Sequence, residues 1–365
     1  MNTRLFRHEK IVGKEDAGER LDTWLTIFPF SDFEPDLAPS RSVIQKWIAG
    51  GFVTVNGKIT TDKSYSVKVE DKIKLEVEIG DEFPIPPPEP LDIRIVHRDP
   101  EFVVIDKPPG INSHPMPNDL TGSVVNFLHH ENIPQPLSGN PLRPGIVHRL
   151  DKNTSGLMVI ACTDRAKATL IETIKRREIE RRYIAIVFGE MKIPSGTIEA
   201  PIGRHPEDRR KMYVVLTGDG KEARTHYKLL TQYIGFSLVT CKLDTGRTHQ
   251  IRVHLSHIGF PVAGDSLYGG RRAVDRAFRA LNRFDKHDPD FPAIEKGILD
   301  IADILTADRV HLLHAAKLSF PHPVTGEIMS FKAEPHDKFK KVMSILESLP
   351  HHDIDDNFFM ENNGV

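Results

Sequence analysis

Cysteine is scarce in this chain, which has 365 residues and only two cysteines, Cys162 and Cys241. Neither lies in a C-x-x-C or zinc-type spacing, so the sequence disfavours a disulfide framework and a cysteine-based metal site. A chain that does without disulfide bonds suits a reducing compartment. We therefore expect a cytoplasmic protein.

Long apolar segments are missing as well. No run approaches the roughly eighteen apolar residues that a membrane-spanning helix needs, and the first ten residues, MNTRLFRHEK, lack the apolar core of a secretory signal. Hydrophobic residues make up 39% of the chain and charged residues 27%, as in an ordinary globular protein. The sequence thus predicts two globular domains and no membrane partner.

A large excess of charge of one sign is also missing, because the formal net charge is only −2. The distribution is uneven, however: residues 143–254 hold 21 Lys and Arg against 12 Asp and Glu, and residues 41–76 hold 7 against 4. Such concentration of positive charge is typical of proteins that bind phosphate backbones. Solvated surface faces are the alternative interpretation of each cluster.

The first eighty residues predict a small α+β module, and residues 81–90, which contain five prolines, predict an extended linker after it. In order, the module has an amphipathic helix that starts over Gly18–Leu25, a second helix over Ser40–Ile48, a strand at Phe52–Val55 that enters an Asn-Gly turn, and a strand at Lys72–Val77.

Residues 91–340 predict a larger α+β domain, built of a β-sheet with flanking helices. Within it, residues 271–309 are interpreted as a helical insertion, and residues 341–365 after it as an acidic C-terminal tail. The predicted strands are Ile93–Val96, Phe102–Asp106, Tyr183–Phe188, Ser237–Leu243 and Ile251–His254, and the predicted helix is Lys167–Glu180.

The nine residues His148–Gly156, HRLDKNTSG, are the most informative segment. Asp151 stands between a guanidinium and a Thr-Ser-Gly turn, directly before the apolar run Leu157–Ala161. A hydrophilic loop that leads into a buried strand is a common place for a catalytic group. A plain turn, in which the Asp bonds its own backbone, is the alternative.

This segment resembles the catalytic motif HRLDxxTSG of the RluA-type pseudouridine synthases, and further strings agree with it in order along the chain. They are Asp106–Gly110 with His114-Pro115, Glu180–Tyr183, Thr245–Leu255, Gly264–Gly269 and His311–His314. The first module, with RLD early and SRxxxxxWI later, resembles the S4 RNA-binding domain. Together they resemble the large-subunit rRNA enzymes of the RluD and RluC kind, with a mainly antiparallel mixed sheet in the catalytic domain.

The resemblance implies isomerisation of uridine to pseudouridine in structured RNA. The N-glycosidic bond breaks, the uracil turns, and a bond to its C5 forms. No redox step occurs, so no cofactor and no metal are expected. Attack on ribose C1′, attack on uracil C6, and elimination through a glycal all remain open as routes.

The resemblance also assigns roles to residues. Asp151 is the essential catalytic carboxylate, Arg252 its ion-pair partner, and Tyr183 the stacking surface against the uracil or the group that moves a proton. A structural surface arginine and an ordinary half-buried strand tyrosine are the alternative interpretations of Arg252 and Tyr183. Arg149 takes the place of the flipped-out nucleotide. The other substrate-binding candidates are His148, Thr154, Arg247 and His249, and the candidates for binding the RNA backbone are Arg41, Gln45, Lys46, Lys175, Arg176 and Arg177.

Other interpretations of the sequence are weaker. A metal site at His249, His254 and His257 has no standard ligand spacing, and a glycosidase would need a second carboxylate as acid. A non-catalytic RNA-binding assembly factor, or an enzyme that modifies tRNA, is the alternative function. We expect a monomer.

Overall fold

The computed structural model describes residues 4–27, 41–79, 86–115, 119–136, 142–208, 210–218, 220–269, 275 and 278–354. Parts of the predicted linker (81–85), of the predicted insertion (271–274, 276 and 277) and of the predicted tail (355–365) lie outside these residues. The chain divides into two units, residues 1–87 with 136–144 and residues 88–135 with 145–365.

The described residues of the first unit form an antiparallel sheet with two α-helices. The strand order is β1-β4-β2-β3, and Trp24, Ile48 and Leu75 are buried in its core. Asn56 and Gly57 have φ of 52° and 79°, the left-handed backbone of a two-residue hairpin turn. The elements are β1 (Arg4–Ile11), α1 (Leu21–Trp24), α2 (Arg41–Ala49), β2 (Val53–Val55), β3 (Lys58–Ile59) and β4 (Lys72–Ile79).

The second unit is built on a large mixed sheet. Its elements are β5 (Arg94–Arg98), β6 (Phe102–Lys107), α3 (Val124–His130), β7 (Ser155–Ala161), α4 (Asp164–Lys175), β8 (Glu180–Phe188), β9 (Ser195–Glu199), β10 (Ile202–Arg204), β11 (Met212–Val214), β12 (Arg224–Tyr233), β13 (Phe236–Leu243), α5 (Gln250–His257), α6 (Phe291–Thr306), β14 (Leu313–Pro321), β15 (Ile328–Lys332), α7 (Asp337–Glu347) and β16 (His351–Asp353).

The main sheet has the order β16-β12-β13-β8-β14-β7-β6-β5. Its neighbouring strands are antiparallel except for β7 and β14, which run parallel. This confirms the predicted mixed, mainly antiparallel sheet. Strand β7 is buried along its whole length, because Met158 and Ile160 join one apolar core and Leu157 and Val159 join another. The loop before β7 is therefore held by a fully packed strand.

Two predicted elements were wrong in type or extent. Ile251–His254 is not a strand but part of helix α5, because an alternation of apolar and polar residues over only four positions, Ile-Arg-Val-His, is too short to distinguish a strand from a helix. Helix α4 begins after the cap Thr163 and ends at Lys175, five residues before the predicted end at Glu180. Arg177, with φ of 61°, breaks the helical backbone there.

No helix among the described residues is long and apolar enough to cross a bilayer.

Gly156 is expected to tolerate no side chain. Its φ is 112°, and a Cβ would lie 2.4 Å from the carbonyl oxygen of Ala315, where β7 and β14 pair. We predict that Gly156→Ala lowers the free energy of unfolding by about 3 kcal/mol or more, from backbone strain plus overpacking. Chemical denaturation measures this loss.

Gly326→Ala is the matched control, because Gly326 also has positive φ (76°) but has open space around it. Only the roughly 1 kcal/mol cost of the left-handed backbone is expected there. Equal losses in the two variants would contradict the steric explanation.

Candidate active site

The loop that carries Asp151 is fixed by one hydrogen bond within it and by two hydrogen bonds to Ser113. The backbone N–H of Thr154 donates to the carbonyl of Asp151 at 3.1 Å. The Ser113 hydroxyl donates to the carbonyl of Leu150 at 2.7 Å and accepts from the N–H of Leu150 at 3.0 Å. The carboxylate is therefore displayed by a rigid loop.

Lys107 supports the same loop through buried hydrogen bonds. Its side chain is fully buried, and its Nζ donates to the carbonyls of Pro108, Ile111 and Lys152 at 2.8, 3.0 and 3.1 Å. Burial lowers the pKa of Lys107 to about 7. Its three donors are used on the backbone, so Lys107 positions the loop.

Asp151 forms the partly exposed end of a chain of charges whose other two members are buried. Arg252 Nη1 donates to Asp151 Oδ2 at 2.8 Å, while Arg252 Nε and Nη2 donate to the two oxygens of Asp265 at 2.6 and 3.0 Å. The side chains of Arg252 and Asp265 are only 8% and 1% exposed. One guanidinium thus bridges the two carboxylates and uses its planar fork on Asp265.

This arrangement keeps Asp151 ionised. Burial alone would raise the pKa of Asp151, but the positive charges of His249 and Arg252 and the Arg252 hydrogen bond hold it below its ordinary value. Burial lowers the pKa of His249, so at neutral pH Arg252 is the cation that matters. A nucleophilic or charge-stabilising carboxylate is therefore available at pH 7.

His249 and Tyr268 complete the side of the site next to Arg252. His249, with φ of 58°, precedes helix α5, and its Nε2 lies 3.9 Å from Asp151 Oδ2. Its Nδ1 hydrogen-bonds the Tyr268 hydroxyl at 2.8 Å, and the Tyr268 ring lies 5.1 Å from the Arg252 guanidinium. Because of these contacts, the ring packs over the cation and orients the imidazole.

Tyr183 lies in the middle of the sheet on β8, opposite Cys241 on β13 and Ala315 on β14. It is only 5% exposed. Burial raises the pKa of Tyr183, the charge of Arg181 partly opposes this rise, and the charge of Asp151 adds to it. The hydroxyl therefore stays protonated at neutral pH, near enough to Asp151 to sense its charge.

Thr154 is buried, and its hydroxyl hydrogen-bonds Nε2 of the buried His311 at 2.9 Å. Burial, with the charge of Arg252, lowers the pKa of His311 to about 4. This imidazole is therefore uncharged at neutral pH.

His311 should make stability depend on pH. The unfolded chain takes up the proton near pH 6.5 and the folded chain only near pH 4. The contribution of neutral His311 to the free energy of unfolding is therefore complete above about pH 6.5. It is lost as pH falls from there toward 4, by roughly 1 kcal/mol per pH unit. We predict that His311→Asn reduces the slope of unfolding free energy between pH 7 and 5. The exposed His287→Asn should keep the wild-type slope, and an equal slope in all three proteins would contradict the prediction.

Comparison with known proteins places this site in a family. Residues 101–257 match the family model of RNA pseudouridylate synthase, and residues 36–73 match that of the S4 domain. An uncharacterised RNA pseudouridine synthase of Bacillus subtilis, YlyB, is 37% identical over 338 residues, which are 92% of this chain and 97% of the relative. The chain belongs to the RNA pseudouridine synthase family.

Other relatives and structures agree. Ribosomal large subunit pseudouridine synthase D of Xanthomonas campestris is 35% identical, covering 93% of this chain and 92% of the relative. The solved structure of Human RNA Pseudouridylate Synthase Domain Containing 1 has a TM-score of 0.53 at 23% identity and covers 74% of this chain and 95% of its own. That structural likeness shows the shared fold.

The loop residues next to Asp151 in this pseudouridine synthase have different environments. Arg149 is exposed and makes no hydrogen bond or ion pair with the described residues. His148 accepts a hydrogen bond from the N–H of Val159 at 3.1 Å, and burial lowers its pKa to about 3. Arg247 is exposed and donates through Nε to the carbonyl of Glu222 at 2.9 Å. The structure thus brings Asp151, His249, Arg252 and Thr154 together around one carboxylate.

The predicted RNA-binding residues of the first unit are partly engaged within it. Arg41 and Gln45 both donate to the buried carboxylate of Asp22, at 3.0 and 2.6 Å, and Lys46 is exposed. Arg41 remains 50% exposed. Asp22 therefore fixes the orientation of Arg41 on helix α2.

The predicted RNA-binding residues of the second unit lie together at the end of helix α4. Lys175 and Arg176 both face Glu172, at 3.5 and 3.3 Å. Arg177 lies 3.4 Å from Glu222. All three basic residues are exposed, so these surface pairs leave them accessible.

Four residues of the site had no assigned role in the sequence analysis: Lys107, Asp265, Tyr268 and His311. All four lie inside the motif strings quoted above, so membership of these strings could have marked them as site residues. His254, considered as a metal ligand, is buried, and its two ring nitrogens hydrogen-bond Thr225 Oγ1 and the Ala200 carbonyl, each at 2.9 Å. Both nitrogens of this imidazole are thus used inside the fold.

Proposed function

We propose that the protein isomerises specific uridines of large-subunit ribosomal RNA to pseudouridine, with Asp151 as the essential catalytic group. The observation that carries the proposal is the Asp151–Arg252–Asp265 chain of charges, in which the buried Arg252 favours the ionised form of the partly exposed Asp151. Relatives from Xanthomonas campestris and Escherichia coli K12 named ribosomal large subunit pseudouridine synthase D, both 35% identical, support the rRNA substrate.

Each residue of the site has a separate role in the reaction. Asp151 acts on the ribose or the uracil while the glycosidic bond breaks, and Arg252 keeps it ionised. Tyr183 supports the detached uracil as it turns. The exposed, unpaired Arg149 fills the stack that the flipped-out uridine leaves, since the reacting atoms are inaccessible inside a helix.

The basic surfaces hold the RNA in place. Residues 1–80 act as an S4-type RNA-binding domain through Arg41, Gln45 and Lys46, and residues 91–340 are the catalytic domain, to which Lys175, Arg176 and Arg177 add backbone contacts. Residues 81–90 connect the two domains. The protein is proposed to act as a monomer, and the free thiols of Cys162 and Cys241 support a cytoplasmic location.

Mapping pseudouridines across total RNA tests this function. Cells that lack the protein should lose pseudouridine at one or a few positions of large-subunit rRNA. The wild-type gene should restore these positions, and a gene encoding Asp151→Asn should not. Loss confined to tRNA would overturn the proposed substrate, and an unchanged map would overturn the proposed activity.

A further inference from the structure

Arg181 is a buried arginine that has no partner among the described residues. The residue is only 7% exposed, and its Nε is buried and makes no hydrogen bond. Among the residues that the structure describes, no carboxylate and no carbonyl pairs with this guanidinium. Arg252, which is equally buried, contacts two carboxylates instead.

An unpaired cation inside a protein is unfavourable, because it has lost its hydration and gained nothing in return. A hydrophobic residue of similar size would pack there at a lower cost in folding free energy. The RNA-free fold therefore gives no reason for an arginine at this position. A bound anion would supply one.

The surroundings of Arg181 place that anion beside the catalytic site. Arg181 precedes Tyr183 by two residues on β8. A Cβ on the exposed Gly246 would lie 3.0 Å from Arg181 Nη1, so the guanidinium lies against the loop at the start of the string Thr245–Leu255. The charge of Arg181 also lowers the pKa of His148 in the Asp151 loop, after the larger effect of burial.

We propose that Arg181 binds a backbone phosphate of the RNA next to the target uridine, an inference that rests on the proposed function. A phosphate matches the planar fork of a guanidinium and neutralises its charge. A uracil carbonyl is neutral and would leave the charge uncompensated. Because Gly246 has no side chain, the approach to the guanidinium is open.

The first test needs no RNA and no catalysis. Inorganic phosphate at tens of millimolar, against chloride at equal ionic strength, should raise the Tm of the full-length wild-type protein by about 2 °C. Arg181→Met should lose most of this shift, and without phosphate its Tm should equal or exceed that of the wild type, because an uncompensated charge is gone.

Arg182→Met is the matched control, because Arg182 is the next residue of β8 and pairs with Glu180. Its phosphate shift should equal that of the wild type. A lower Tm for Arg181→Met together with a full phosphate shift would mean a structural role and overturn the proposal.

The second test uses a transcript that contains a uridine found by the mapping. Arg181→Met should raise KM by roughly 10- to 100-fold, the loss of a charge-assisted pair, with kcat changed only a few-fold. The slope of log affinity against log salt should fall by about 0.7, the value for one single-strand phosphate. Arg181→Lys, which keeps the charge without the fork, should raise KM less.

An unchanged KM and salt slope in Arg181→Met would overturn the proposal. If that variant does not fold, Arg181→Lys decides: a smaller phosphate shift and a raised KM support the phosphate site, and wild-type values contradict it. A wild-type protein that responds to phosphate through Arg181 but forms no pseudouridine would refute the proposed function and leave the anion site standing.

Discussion

Replacing Asp151 by Asn should abolish pseudouridine formation, by roughly a thousand-fold or more in kcat, because the amide can neither attack carbon nor stabilise a developing cation. Asn keeps the shape of the side chain. Arg252 also stays paired with Asp265 through Nε and Nη2, so no buried charge is stranded. The folded protein and its affinity for RNA should therefore change little.

Single-turnover assays on an RNA substrate measure this loss, with binding followed separately by titration. Asp300→Asn is the control, since Asp300 is an exposed carboxylate of helix α6 and its replacement should leave the rate at the wild-type value. Substantial activity in Asp151→Asn would eliminate the carboxylate from every route considered above.

Replacing Asp265 by Asn should have the second-largest effect, on stability and rate together. Asp265 is a positioning residue: it accepts two hydrogen bonds from Arg252 and also bonds the N–H groups of Leu267 and Tyr268. Removing one partner of a buried ion pair typically costs about 3 kcal/mol. Loss of an orienting residue behind an active-site group typically costs about 10- to 100-fold in rate.

The pH profile separates a positioning role from a merely structural one. Burial raises the pKa of Asp265, but the hydrogen bonds and charge of Arg252 outweigh burial and lower it. Carboxylates with depressed pKa stabilise the fold above about pH 4, and that contribution is lost as pH falls below it. In Asp265→Asn, Arg252 is held less firmly, so the pH below which activity is lost should rise.

Arg252→Lys is the companion variant, because an ammonium keeps the charge but cannot bridge both carboxylates through a planar fork. It should lose activity to a similar extent. Wild-type stability, rate and pH profile in Asp265→Asn would contradict the positioning role.

Much of the fold was predictable from local pattern. The Asn56-Gly57 turn, helix α2 and the buried strand β7 follow from turn chemistry and apolar runs. Helix α5 did not, because its residues from Gln250 to Leu255 are buried on every side. Such a segment shows no amphipathic period, so its pattern cannot distinguish a helix from a strand.

By itself, the sequence identified the family through HRLDKNTSG and the ordered strings around it, and it predicted Asp151 as the catalytic carboxylate and Arg252 as its partner. Only the tertiary structure decided that Arg252 bonds two carboxylates rather than one, and that Arg181 lies buried with no counter-charge in the described part of the chain. Strand pairing and burial bring together residues as distant as Asp151 and Arg252, and the resulting loss of water determines which charges need partners. These interactions depend on distance and burial, which a linear string of residues does not contain.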